Sequence, residues 1–428
     1  MATFPRSLWL SSRDRRGETR FRGRQVGRSR SVFGPDSVGM RQSLVALTFS
    51  SLTAVVAGGF LAGMTGTLER NPGLLVLIPA AIGMRGNIFG ALGSRLATSI
   101  HAGTFRMSRR NDSLVIQNAI ATASLSMVTA LVLAILTKVL APIFGLSSVI
   151  AISDLIVMSV IGSLLSFIVL IAVTLALAAR SAERGWDLDD VNAPLVSAVG
   201  DVVTLPALLV ASLLLEMSNF TVVLSAIVIV ATLVSLGWMR QSRLSLVRLI
   251  LWESLPILLA TGIVLVIAGV VIEHELAAFA ENRAMLILVP SCLGTAGAIG
   301  GILSARMSSK FHLGVIEPVA VPGRLARRDF IAALLIAVPV LLLNGFLAQL
   351  TSQVFGFASP GVASLVSISV LGGALATLLA GAIAYYGTAL AVRAGVDPDT
   401  YGMPLVTSSV DLGGAAAIVL TIGWVGLS

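Results

Sequence analysis

Asp201 and Asp411 each stand inside an otherwise apolar stretch, and they occupy matching places in a chain that repeats itself. Residues 75–103 read LVLIPAAIGMRGNIFGALGSRLATSIHAG and residues 286–314 read LILVPSCLGTAGAIGGILSARMSSKFHLG, about 210 residues further on. In that register Pro79 meets Pro290, Gly83 meets Gly294, Gly86 meets Gly297 and Arg95 meets Arg306. DLDDVNAPLVSAVGD (187–201) then matches DPDTYGMPLVTSSVD (397–411), which aligns the two acids. An ionised carboxylate at membrane depth costs at least ~2.5 kcal/mol unless water or a cation solvates it. One such residue is compatible with a protonated, hydrogen-bonded structural role. Two at equivalent positions predict a shared wet axis between the repeats. Hard oxygen donors favour Mg²⁺, Ca²⁺ or Mn²⁺, and Mg²⁺ gives up water reluctantly, so a path with few protein ligands passes it largely hydrated.

Other residues are weighed around this pair. The GMRGN segment, Gly83 to Asn87, reads as a glycine interruption of a helix. There Gly86 lets backbone approach a ligand and the Asn87 amide binds a hydrated ion's water, with close helix packing as the alternative. The second repeat has Gly297 followed by Ala298, so a site here is asymmetric. Arg85 repels cations, so it must face away from a cation path or pair with an acid. Asp187, Asp189, Asp190, Asp397 and Asp399 precede the Asp-bearing helices. They either concentrate cations at one mouth or complement helix N-termini. His101 and His312 read as helix-end residues, His274 with Glu273 and Glu275 as a solvated outer loop, Glu253 as a weaker candidate and Asp154 as a helix cap. Soft-metal chemistry is disfavoured, because the twelve methionines show no ligand spacing and Cys292 is the single cysteine.

The elements that must position these residues are membrane helices. The chain is 56% hydrophobic and 12% charged, with 41 glycines, and apolar runs of about 20 residues recur throughout. The fold class is an all-α polytopic membrane protein. Eleven spans are expected near 43–67, 73–100, 114–142, 149–179, 193–217, 219–238, 248–273, 283–307, 329–352, 363–392 and 404–427. These divide into a basic tail (1–41), a five-helix repeat (42–217), a connecting helix (218–247) and a second five-helix repeat (248–428). In this layout the two acids lie about 12 Å into their helices from the cytoplasmic end. An odd connecting helix returns the chain to its starting side, so both repeats point the same way about an axis along the membrane normal. Thirteen arginines and lysines fall in the connections on one side, against Arg70 and Arg283 on the other. The positive-inside rule then puts the N-terminus in the cytoplasm and the C-terminus outside a cell membrane. The net charge of +8 reads as a tail beside anionic lipid, not as nucleic-acid binding. The first 40 residues lack the apolar core of a signal peptide and read as disordered, with Met40 an alternative start.

The stretch P-x-x-x-G-x-[RK]-G-N-x-x-x-x-x-x-S-R-L-[AS]-T, Pro79 to Thr98, and G-D-V-V-T-L-P, Gly200 to Pro206, resemble the membrane domain of MgtE-type magnesium channels. They are similar still more to solute carrier family 41, in which two such domains are fused. The resemblance implies a divalent-cation permease with Mg²⁺ as transported substrate. It also implies a pore between the two five-helix units, with Asp201 and Asp411 coordinating hydrated Mg²⁺ and Gly86–Asn87 on the same path. Bacterial MgtE proteins carry a Mg²⁺-sensing cytoplasmic domain; here only a basic tail occurs, so that gate is expected to be absent or replaced. The expected partners are divalent cations and the bilayer, with one chain working as a pseudo-dimer. A Na⁺- or H⁺-coupled Mg²⁺ exporter and a permease for Mn²⁺ or Co²⁺ stay open. An intramembrane enzyme is disfavoured, since no nucleophile–base pair or His/acid cluster lies within the helices.

Overall fold

The computed structural model describes residues 37–108, 113–146, 148–184, 188–216, 218–312, 314–394 and 403–426. Every regular element among them is helical. In chain order they are α1 (Ser37–Gly63), α2 (Thr65–Arg70), α3 (Leu74–His101), α4 (Leu114–Ile143), α5 (Ile152–Arg184), α6 (Leu188–Ser212), α7 (Ser218–Gln241), α8 (Ser245–Glu273), α9 (Leu276–Glu281), α10 (Ala284–His312), α11 (Arg324–Phe355), α12 (Val362–Ala394) and α13 (Met403–Val425). Eleven of them are long and apolar enough to cross a bilayer, and Met40–Ser428 cluster as one compact unit. The expected spans are all present. The two six-residue helices, α2 and α9, were hidden in the expected outer connections. The basic tail, apart from the start of α1, lies outside the described residues.

α3 and α10 are the most enclosed spans, and the rest pack around them. Each carries a proline one turn and a half from its start, Pro79 and Pro290, which neighbouring helices make tolerable in a membrane. Contrary to the sequence expectation, the glycines of 83–87 do not interrupt α3, which runs unbroken from Leu74 to His101. They serve close packing and open space instead. α7 sits at the edge against α4 and α5, and shows Val222, Ile227, Val230 and Leu233 outward, the apolar surface a bilayer covers. Its Ser235 hydroxyl donates to Ser124 on α4 at 2.6 Å.

The first helix of each repeat packs on the other repeat. A Cβ on Gly58 of α1 would stand 2.5 Å from the Ile287 carbonyl oxygen of α10. A Cβ on Gly269 of α8 would collide with the Val76 carbonyl of α3. Gly58 and Gly269 are 211 residues apart, and so are Val76 and Ile287, so the duplication in the sequence recurs as a duplication of contacts. Both contacts put backbone against helix, which a side chain forbids and glycine allows. α1 goes on to α11 through Gly59 against Thr351, while α8 packs on both α3 and α4.

Candidate functional site

α3 and α10 bring the candidate residues together where a buried N-terminal stretch of each gives way to a more open remainder. Residues 74–81 and 284–293 are wholly buried. From there to the other end, α3 shows Gly86, Ser94, Thr98 and His101 as exposed positions, and α10 shows Ala305 and Ser309. On α3 these positions recur at steps of eight, four and three residues, which is one face of a helix.

Asp411 of α13 sits at that boundary. Its carboxylate lies against glycines from both repeats: a Cβ on Gly83 would be 3.1 Å from Oδ2, and one on Gly297 would be 3.8 Å from Oδ1. Asp201 of α6 is buried, 7% exposed, and lies near enough for its charge to act on Asp411. α6 begins at Leu188, five residues before its expected start, so Asp201 stands thirteen residues into the helix rather than two turns. The two acids are not seated alike. The repeat would place Gly86 and Gly294 beside Asp201, yet a Cβ on Gly86 would meet nothing within 4 Å and one on Gly294 would meet only Ala54.

Asn87, one turn beyond Gly83 on α3, joins the two repeats. Its Nδ2 donates to Ser408 Oγ at 3.2 Å and its Oδ1 accepts from Thr407 Oγ1 at 3.3 Å. Both partners lie on α13 within the turn that leads to Asp411. The expected amide is therefore at the site, held by the opposite half. Ala298 stands in its place on α10. Among the described residues no three His, Cys, Asp or Glu side chains gather into a chelating cluster. The site offers two carboxylates, an amide, hydroxyls and backbone, which suits an ion that keeps much of its water.

Arg85 faces away. Two residues from Asn87, it projects from the other side of α3 toward α4 and α5, beside Thr129, Ser159 and Ser163. Of the remaining candidates, Asp187, Asp397 and Asp399 lie outside the described residues, as does the side chain of Asp189. Glu253 is exposed, and Asp154 lies in the first turn of α5, where its charge complements the helix N-terminus.

Glu273 corrects its sequence reading. It is not in a solvated loop but buried at the end of α8, 7% exposed, where Oε1 accepts the Gly73 amide at 3.0 Å just before α3. A carboxylate there meets the free N–H groups and positive end of the helix dipole. His274 beside it bonds through Nε2 to the Phe144 carbonyl at 2.9 Å. Lys138 was missed in the sequence: its ammonium donates to the Val149 and Ile150 carbonyls at 2.9 Å, tying the end of α4 to the chain that enters α5.

The fold and site define a multi-pass helical membrane protein with internally repeated halves and a polar centre. The sequence model of MgtE, described as a divalent cation transporter, matches residues 78–211 and again 289–421. These matches cover more than half of the chain, which therefore belongs to the MgtE family. Solute carrier family 41 member 3 of Mus musculus is 24% identical over 247 residues, 56% of this chain and 50% of that protein. Solute carrier family 41 member 2 of Mus musculus is 31% identical over 144 residues, 32% of this chain and 24% of that protein. The chain spans about half the length, or less, of the curated relatives it matches. A solved inward-facing MATE-family multidrug transporter aligns over 90% of this chain and 94% of its own at 13% identity, with a TM-score of 0.32, too loose to indicate a shared fold.

Proposed function

We propose that the chain moves Mg²⁺ across a membrane along the seam between its repeats, with Asp201 and Asp411 as the charged groups that replace part of the ion's solvent. The observation that carries this reading is the seat of Asp411: one carboxylate on α13 held against Gly83 of one repeat and Gly297 of the other, within the field of Asp201. Two nearby carboxylates in a low-dielectric setting repel each other and are relieved by a divalent cation between them. Asn87, anchored to Thr407 and Ser408, supplies the amide that orients water on the ion.

The exposed stripe of Gly86, Ser94 and Thr98 leads to this pair from the end of α3 that carries His101. Positive charge concentrates in the connections on that side, and we assign it to the cytoplasm. Lys138 joins Arg70 and Arg283 on the opposite side without reversing the bias. The wholly buried first third of α3 and of α10 then forms a closed outer end, so passage requires a second arrangement of the helices. One chain supplies both halves of the path. The test is Mg²⁺ flux into liposomes with a trapped indicator, for the native protein and for Asp201→Asn with Asp411→Asn. Flux is expected to fall to the protein-free level in the double variant; undiminished flux removes both acids from the mechanism. Repeating the assay with Mn²⁺ and Co²⁺, and with Na⁺ or pH gradients at fixed voltage, separates Mg²⁺ permeation from the other ions and from coupled export.

A further inference from the structure

Arg85 stands near the middle of α3 and is 5% exposed. Its Nε and Nη1 have no hydrogen-bond partner among the described residues, and no acid there forms an ion pair with it. Arg85 borders a small cavity with Met84, Thr129, Leu133, Ser159 and Ser163, of about 10 Å³, room for about one water-sized sphere. A guanidinium keeps its charge under all physiological conditions, and a buried charge without a counter-charge is strongly disfavoured.

The second repeat shows what this place looks like when it holds no charge. There Ala296 replaces Arg85, Val340 replaces Thr129, Leu341 replaces Ala130 and Gly373 replaces Ser163. Leu341 is fully buried, and its side chain lies so close to Gly373 that a Cβ there would collide with it. Ser159 and Ser369 nevertheless make the same bond, each donating at 2.7 Å to the carbonyl of Ala130 or Leu341. The backbone is thus equivalent in the two halves. One half fills the space with a leucine, and the other pairs an arginine with two small residues that leave room beside it.

We propose that this cavity in the first repeat binds a small monovalent inorganic anion, of the halide class, with the unpaired guanidinium nitrogens of Arg85 turning toward it. Ser163 is the hydroxyl placed to join them. Its bond to the Ser126 carbonyl is long, at 3.3 Å, so its proton can turn to the anion, whereas Ser159 is held firmly by Ala130. The size of the cavity excludes phosphate and carboxylate ligands. The site is separate from the cation seam, since Arg85 and Asn87 project from opposite sides of α3 and Asn87 alone reaches α13. Its test therefore needs no transport and stands whether or not the seam carries Mg²⁺.

The experiment is the unfolding midpoint of the purified full chain in detergent, in sodium chloride, bromide or gluconate at equal ionic strength. A ligand that binds only the folded state raises the midpoint steadily with the logarithm of its concentration. Chloride and bromide are expected to raise it by several degrees over gluconate, and Arg85→Met and Ala130→Leu are expected to show no halide dependence. Equal midpoints in halide and gluconate would overturn the proposal, as would a halide shift that survives in Arg85→Met. Should either variant fail to fold, diffraction from native crystals grown in bromide decides the matter. An anomalous peak within hydrogen-bond reach of the guanidinium supports the site, and ordered water alone at that place rejects it.

Discussion

In one half of the molecule a borrowed helix is held by hydrogen bonds; in the other its counterpart is held by shape. Ser51 of α1 bonds to Asn344 of α11, whose Nδ2 also reaches Thr295 Oγ1 at 3.2 Å and the Ser291 carbonyl at 3.3 Å. Shifting Ser51, Asn344 and Thr295 by 211 residues gives Gly262, Leu133 and Met84. There a Cβ on Gly262 would stand 3.3 Å from Met84 and 3.4 Å from Leu133. The same crossing is made with polar groups in one half and with methyl groups in the other. A membrane interior gives little hydrophobic reason for helices to associate, so both solutions depend on close fit, and the polar one adds directionality. Polarity has not been lost from the first half but moved, to Arg85 and Asn87 on α3. Duplication fixes where helices cross and leaves each half free to specialise.

That contrast can be broken most sharply at the acids. Asp411→Asn is expected to lower Mg²⁺ flux by about tenfold or more, the effect of weakening an ion's stabilisation by ~1.4 kcal/mol. Asp411→Glu should fall nearly as far, because the added methylene has no room between Gly83 and Gly297, whereas Asp201→Glu should keep more flux, since Gly86 leaves open space. Equal losses in the two glutamate variants would show that the difference in seating does not matter. The helix crossings come next. Gly58→Leu and Gly269→Leu should each destabilise the fold by about 1–3 kcal/mol or more through overpacking, to a similar degree, read as lower yields of monodisperse protein. Asn344→Ala is expected to cost about 1–3 kcal/mol in stability, the penalty for buried groups left without a partner, while Leu133→Ala should act through lost volume alone. In a double-mutant cycle, Ser51→Ala should therefore couple to Asn344→Ala, and no such coupling would refute the polar crossing. The mildest change is Asn87→Ala, which makes the first repeat resemble the second at Ala298. A loss of flux of about two- to fivefold is expected, in keeping with one hydrogen bond of ~0.5–1 kcal/mol.

Much of this was legible in the sequence. Eleven apolar runs, their grouping and the matched aspartates required only span length and an alignment of the chain with itself. α2 and α9 were not legible, because six residues are too few to display a helical period. Glu273 was misread through its neighbours: His274 and Glu275 made a polar cluster look solvated, while the acid itself meets the start of α3. The glycines of 83–87 read as a break, yet α3 runs unbroken through them, and Gly83 seats a carboxylate. The surroundings of Arg85 come from two other helices, Thr129 on α4 and Ser159 and Ser163 on α5, which no local pattern on α3 reveals. The exchange of α1 and α8 left one trace, the pairing of Gly58 with Gly269, but glycine is too common in this chain for that to stand out.

The crossing of α1 to α10 also sets a timetable for biogenesis. A ribosome delivers α1 more than two hundred residues before the surface it must meet, so α1 has to wait in lipid, its glycine face uncovered, until the later helices are inserted. Each half lacks one of its packing partners until the other is made, and quality control that inspects unfinished bundles should see this protein as incomplete until α10 and α11 have been inserted. A chain severed in the connection between α7 and α8 should for the same reason yield two fragments that persist together and are degraded apart.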